Sequence, residues 1–126
     1  MSNLALSQSR VLVVDDNADA ADLLVLLLTA MEVSARAVYS GAEAVAVAED
    51  MAPAFIFLDL DMPHMSGYEV ARELRARSRF KSTVIVALTG RSDAATRQGV
   101  MTRGFDMHLP KPATVDQLQA ILMKTG

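Results

Sequence analysis

The run Ala54-Phe-Ile-Phe-Leu-Asp-Leu-Asp-Met-Pro63 constrains this chain more than any other stretch. It opens as a short series of apolar, mostly β-favouring residues and delivers a carboxylate, Asp59, where the series ends. Pro63 cannot donate a ladder hydrogen bond, so the strand must be over by then. An acid at the carboxyl end of a buried strand sits where open α/β sheets place ligands. Three other runs end comparably. Residues 10–14 lead into Asp15 and Asp16, residues 83–88 into Thr89 and Gly90, and the short run 107–109 stops just before Lys111-Pro112. An acid pair, an acid, a hydroxyl and an ammonium would therefore share one edge of one sheet.

The intervening segments read as helices. Asp15-Asp16-Asn17 closes the first strand and opens a helix over about 17–30. Its 23–28 stretch is apolar on every face, so part of it must stay near the surface, where it can meet a partner helix or simply pack greasily on the sheet. A second strand spans 33–39. Ser40 with Glu43, Ser66 with Glu69 and Thr114 with Gln117 have capping-box spacing, in which a hydroxyl and a carboxyl or amide oxygen satisfy helix-start amides. They place helices ending near 49–51, over 68–77 and over 115–124. Pro53 marks the end of the second, because a proline pushes its predecessor out of helical geometry. Arg72, Arg75 and Arg79 read as a solvated face. The helix over 92–102 contains Gly99, which costs about 1 kcal/mol relative to Ala, so it is the weakest helix and the readiest to move. Gly104 fits a left-handed C-terminal cap.

Five strands alternating with five helices imply an α/β fold with a parallel sheet covered on both faces and right-handed crossovers. The flavodoxin-like, doubly wound (βα)5 sandwich with strand order 2-1-3-4-5 is the natural solution. It sets strands one and three side by side. That juxtaposition brings Asp15 and Asp16 against Asp59.

Composition narrows the function. At 126 residues the chain is one domain, read as a loose polar lead over 1–9 and a folded unit over 10–124. It is 52% hydrophobic but only 5% aromatic, so Ala, Val, Leu and eight Met must fill the core, with Met as gap-filler. A net charge of −3 argues against a nucleic-acid footprint. The absence of Cys excludes disulfides and thiol chemistry. No apolar stretch is long enough to span a bilayer and residues 1–9 do not resemble a signal peptide, so the cytoplasm is expected.

Three carboxylates packed together repel, and at least one would have a raised pKa unless a cation joins them. Hard oxygen ligands suit Mg2+, with Mn2+ an allowed substitute. An aspartate is also a competent nucleophile toward phosphorus. Phosphoryl transfer asks mainly for groups that neutralise the transferring oxygens. Asp15 and Asp16 would hold the metal, Asp59 would attack, and Lys111 and Thr89 would bind phosphoryl oxygens.

With these residues assembled, the chain resembles the receiver domain of bacterial two-component response regulators. The resemblance runs from Arg10 to Leu122. It rests on Val11-Leu-Val-Val-Asp-Asp16, Leu58-Asp-Leu-Asp-Met-Pro-His-Met-Ser-Gly67, Ala87-Leu-Thr-Gly90 and Gly104-Phe-Asp-Met-His-Leu-Pro-Lys-Pro112. It implies Asp59 as phosphoacceptor, Asp16 as a direct Mg2+ ligand, Asp15 as a ligand through water, and the backbone carbonyl of Asp61 as a further ligand. It implies Thr89 as switch hydroxyl, with Gly90 beside it, and Lys111 as phosphoryl-binding ammonium preceding a cis bond to Pro112. It also implies that Asp61 and Arg91 tune the lifetime of the phosphoryl group, paired across the site mouth. The phosphoryl donor would be a histidine kinase or phosphotransfer protein. The output would be a shift of the fourth helix, fifth strand and fifth helix toward an unknown protein partner, without catalytic turnover, nucleic-acid binding or membrane insertion by this chain. In one departure, the family's switch aromatic is His108 here. The pattern around it looks like receivers of hybrid histidine kinases or single-domain regulators. No effector domain follows Gly126, so direct DNA binding is not expected.

Two rivals remain. Haloacid-dehalogenase-type phosphatases also combine an Asp-x-Asp, here Asp59 and Asp61, with a strand-end hydroxyl and a Lys, but in them the acid pair lies downstream. A pseudo-receiver would act only as a binding module. His64, in the loop after Asp59, reads as a solvated loop residue before it reads as a gate to the site.

Overall fold

The computed structural model describes residues 10–90 and 94–125. The loose lead over 1–9, the first two residues of the helix expected from 92, and Arg91 with its expected pairing to Asp61 lie outside the described residues. Five strands, β1 (Arg10–Val14), β2 (Ser34–Val38), β3 (Phe55–Asp59), β4 (Val84–Thr89) and β5 (Met107–Pro110), alternate with α1 (Ala18–Ala30), α2 (Gly41–Met51), α3 (Gly67–Arg75), α4 (Ala94–Thr102) and α5 (Val115–Thr125). All pairings are parallel, in the order β2-β1-β3-β4-β5. This is the flavodoxin-like arrangement the alternation implied.

The period-2 geometry of a strand divides each apolar run between two cores. Leu12, Val14, Ile56 and Leu58 face α2, α3 and α4 through Ala44, Ala48, Val70, Leu74 and Val100. Val11, Val13, Phe55 and Phe57 face α1 and α5 through Leu24, Leu28, Leu118 and Leu122. Every residue of β3 is buried, as a central parallel strand requires. The greasy first helix splits as its surplus demanded: Leu24 and Leu28 are buried, whereas Leu23 and Leu26 are 53% and 64% exposed. Met62 is buried and Met51, Met65 and Met107 pack on the cores, but Met101 and Met123 are exposed.

Capping follows the side chains the sequence offers. The Ala20 N–H donates to Asn17 Oδ1 at 3.1 Å. Ser66 and Glu69 form a complete capping box. Thr114 and Gln117 reciprocate in the same way, at 3.2 and 2.9 Å. At α2, Ser40 Oγ accepts from Glu43 N, but the Glu43 carboxylate accepts from the N–H of Tyr39 rather than that of Ser40. Ala52 ends α2 in the left-handed region, at φ 50°, just before Pro53. Gly104 has φ 94°.

One expectation is corrected. Arg75 is not on a solvated face but holds the fold together. Its Nε donates to Gly104 O, one terminal nitrogen donates to both Phe80 O and Thr83 O, and the other pairs with Asp106 at 2.7 Å. The Asp106 carboxylate in turn accepts from Ile85 N. Residue type and helical spacing do not show which arginine will find carbonyls from a later loop.

Candidate functional site

The site is built at the carboxyl ends of β1, β3 and β4 and the start of the β5–α5 connection. β1 and β3 are neighbours, with Val14 in register with Leu58, so the residues that follow them meet. Asp15 and Asp59 are buried, at 2% and 3% exposure, while Asp16 is exposed. One carboxylate oxygen from each of the three lies within 4.8 Å of the others. Thr89 closes β4 fully buried. The Lys111 N–H donates to Thr89 O at 2.9 Å, which fixes the β5–α5 connection against the end of β4. The Lys111–Pro112 bond is cis.

Polar partners fix the buried acids. Asp15 Oδ1 accepts from Asn17 N at 3.0 Å. Lys111 Nζ lies 2.9 Å from Asp15 Oδ2 and 3.5 Å from Asp59 Oδ1. Asp59 Oδ1 also accepts from Asp61 N at 3.3 Å. Burial and the neighbouring Asp15 charge push the Asp59 carboxyl up to about 7, against the opposing pull of Lys111 and the Asp61 amide. Burial disfavours the Lys111 ammonium, but the hydrogen bond to Asp15 and the charges of both carboxylates outweigh it and hold the group above its ordinary value. A proton at Asp59 is thus the local answer to carboxylate crowding, and a hard cation among the three acids would be the other. An exposed acid beside two buried ones forms an oxygen-donor set open to water on one side, which suits a divalent cation that keeps part of its hydration.

A further residue has a role that reading the chain alone did not assign. Gly67 starts α3 directly beneath the site, where a Cβ would lie 2.3 Å from Asp59 O and 2.9 Å from Leu60 Cα. Only glycine lets the helix start come this close to the strand end. Its N–H donates to Leu60 O at 3.1 Å. The signal was present as a small residue after the Ser66 cap, but nothing local distinguishes a close approach from an ordinary helix start. His64 takes φ 69° in the exposed loop between the two. Gly90, by contrast, faces open space.

His108 is half-buried and pairs with Ala87 in the β4–β5 register. Met107 and Leu109 belong to the α1–α5 core and Ala87 to the other, so His108 projects to the α4 side. Thr89 is two residues beyond Ala87 on the same face of β4.

Comparison with known proteins agrees with this geometry. The family model of the response regulator receiver domain matches residues 11–123. The DNA-binding response regulator MtrA of Mycolicibacterium paratuberculosis is 32% identical over 113 residues, covering 90% of this chain and 49% of MtrA. The chain spans about half the length of such curated relatives. The chemotaxis protein CheY4 of Vibrio cholerae superposes with a TM-score of 0.87 at 27% identity, covering 94% of this chain and 98% of CheY4. The receiver domain of sensor histidine kinase PA1611 from Pseudomonas aeruginosa, described with a magnesium ion coordinated in its active site cleft, superposes at 0.84 with 28% identity, covering 92% and 95%. Fold and site define a doubly wound signalling module with an acidic edge. The chain belongs to the response regulator receiver domain family. Nothing in the fold or in these likenesses favours the phosphatase alternative.

Proposed function

We propose that the chain accepts a phosphoryl group on Asp59 from the phosphohistidine of a histidine kinase or phosphotransfer protein and passes the signal to a protein partner. The observation that carries this reading is the convergence of the Asp15, Asp16 and Asp59 carboxylates with the Lys111 ammonium at one sheet edge. The functional unit is residues 10–124, working in the cytoplasm. Among the described residues no helix is long and apolar enough to cross a membrane.

The carboxylates fit Mg2+, and Mn2+ has the same oxygen preference. Asp16 and Asp59 would hold the ion directly, Asp15 through water, and the Asp61 carbonyl would complete the protein's share. The ion supplies neutralisation of the phosphoryl oxygens. The remaining work falls to the chain. An Asp59 oxygen attacks phosphorus in its ionised form, the phosphorus–nitrogen bond breaks, and the donor imidazole leaves with the electron pair. Lys111, already 3.5 Å from Asp59, offers its ammonium to a phosphoryl oxygen. Thr89 adds a hydroxyl and turns toward the new charge. That movement shifts α4, β5 and α5, with His108 beside the vacated space. Position 61, with Arg91, tunes how long the acyl phosphate survives.

The test is incubation with Mg2+ and acetyl phosphate, then with a histidine kinase, with the adduct mapped by mass spectrometry. We expect stoichiometric label on Asp59 and none in Asp59→Asn. Wild-type labelling of that variant would overturn the assignment, and rapid turnover of phosphate esters would point to an enzyme instead.

A further inference from the structure

Away from the acidic edge, a groove of about 590 Å3 runs between α3 and the C-terminal end of α4. This volume falls within the ~300–1,000 Å3 range of small-molecule sites. Its walls are Ser66, Tyr68, Glu69 and Arg72 on one side and Thr102 and Arg103 on the other. Arg75 also borders it, but its nitrogens are committed to three backbone carbonyls and to Asp106.

Arg72 and Arg103 differ from Arg75. Among the described residues, neither has a carboxylate within ion-pair distance, whereas Arg75, Arg77 and Arg79 all do. The one acid on the wall, Glu69, is held at the helix start by accepting from Ser66 N at 2.9 Å. Among the described residues the groove therefore has two guanidinium groups without a carboxylate partner against one engaged carboxylate. A guanidinium presents a planar fork of donors that matches a phosphate or carboxylate.

The floor has a second character. The Arg103 guanidinium lies over the Tyr68 ring, 4.6 Å from its centroid. The Tyr68 ring meets Phe105 edge-on at 5.9 Å, and a Cβ on Gly99 would lie 3.6 Å from its hydroxyl. Packing therefore holds the ring in place. A guanidinium stacked on one aromatic face can stack a second flat ring on its other face.

We propose that this groove binds a small ligand combining a flat aromatic ring with a phosphate, of the nucleoside monophosphate class. The phosphate is held by Arg72 and Arg103, and the ring lies on the Arg103–Tyr68 stack. Such a ligand ties the end of α4 to α3. None of the groove residues belongs to the acidic edge, so the site does not depend on the phosphoacceptor reading.

The test is an NMR titration of the full chain with the 5′-monophosphates of adenosine, guanosine, cytidine and uridine. It is run in metal-free buffer, so that the acidic edge cannot recruit the phosphate through a cation. At least one nucleotide should shift the amide signals of Tyr68, Thr102, Arg103 and Gly104. Its affinity should fall about tenfold or more in Arg72→Gln and in Arg103→Ala, the loss expected for a charge-assisted hydrogen bond. Arg103→Lys, which keeps the charge but not the planar stack, should fall between wild type and Arg103→Ala. The matching nucleoside and inorganic phosphate should each bind at least about tenfold more weakly than the nucleotide. No shifts with any of the four at millimolar concentration would overturn the proposal. So would shifts that survive both arginine substitutions, or inorganic phosphate binding as well as the nucleotide. Both arginines are exposed, and matching far-ultraviolet dichroism and melting curves would confirm that the variants fold.

Discussion

Lys111 Nζ sits 2.9 Å from Asp15 Oδ2 and 3.5 Å from Asp59 Oδ1, so one ammonium bridges two buried carboxylates. The bridge couples the end of β1, the end of β3 and the β5–α5 connection through a single side chain. Replacing it with an apolar isostere leaves two crowded acids without their cation. Lys111→Met should lower metal-free stability by about 1–3 kcal/mol at pH 8, with a smaller loss at pH 5, where protonation relieves the pair. Urea unfolding at the two pH values would check this. Equal losses at both would show that the bridge is not electrostatic.

The raised Asp59 carboxyl, at about 7, sets a pH dependence. Between the ordinary aspartate value of ~4 and about 7, the folded protein binds more protons at this position than the unfolded chain does. Stability from this group is therefore fully present below the unfolded value and is lost as pH rises through the folded one. A divalent cation replaces the proton, so the Mg2+-induced rise in melting temperature should be larger at pH 8 than at pH 5.5. Asp59→Asn should flatten the metal-free profile, and Asp16→Ala should reduce the Mg2+ increment. Melting curves with EDTA and with millimolar Mg2+ would measure both. An increment independent of pH would contradict the titration.

Gly67 cannot accept a side chain without moving either α3 or the end of β3, because its Cβ would lie 2.3 Å from Asp59 O. Gly67→Ala should cost about 2–4 kcal/mol. It should also slow labelling of Asp59 by acetyl phosphate, since the displaced strand end carries the Asp59 carboxylate. Unchanged stability and labelling would mean that the helix start yields freely.

Arg75 satisfies three carbonyls and pairs with Asp106. Arg75→Met keeps the stem and removes the donors, and should lower stability by about 2–4 kcal/mol. Arg79, 48% exposed in its pair with Glu49, should tolerate Ala within about 0.5 kcal/mol. Comparable effects of the two would refute the distinction.

His108 is on the α4 side of β5, beside Ala87 and one step from Thr89. If Thr89 turns toward a phosphoryl group, the imidazole should change its surroundings. Beryllofluoride with Mg2+ should shift the His108 ring signals and alter hydrogen exchange across 94–109. Ring signals and exchange identical in both states would mean that position 108 takes no part in the switch.

The sequence by itself determined the order of elements, the sheet that holds them and the edge on which the chemistry falls. Buried parallel strands must be apolar throughout, so runs such as 54–59 declare themselves, and a strand-end Asp can point only to the edge. Caps were legible because Ser66-x-x-Glu69 acts within one helical turn. Tertiary structure decided what depends on residues far apart in the chain. It brought Lys111 onto both Asp15 and Asp59, committed Arg75 to carbonyls of two loops while leaving Arg72 without an ion-pair partner among the described residues, and seated Gly67 against Asp59. It also set His108 toward α4 rather than α5, because strand register fixes which face alternate residues take. Local sequence specifies what a segment can form; which groups meet at 3 Å is set only when the strands align and the helices close over them.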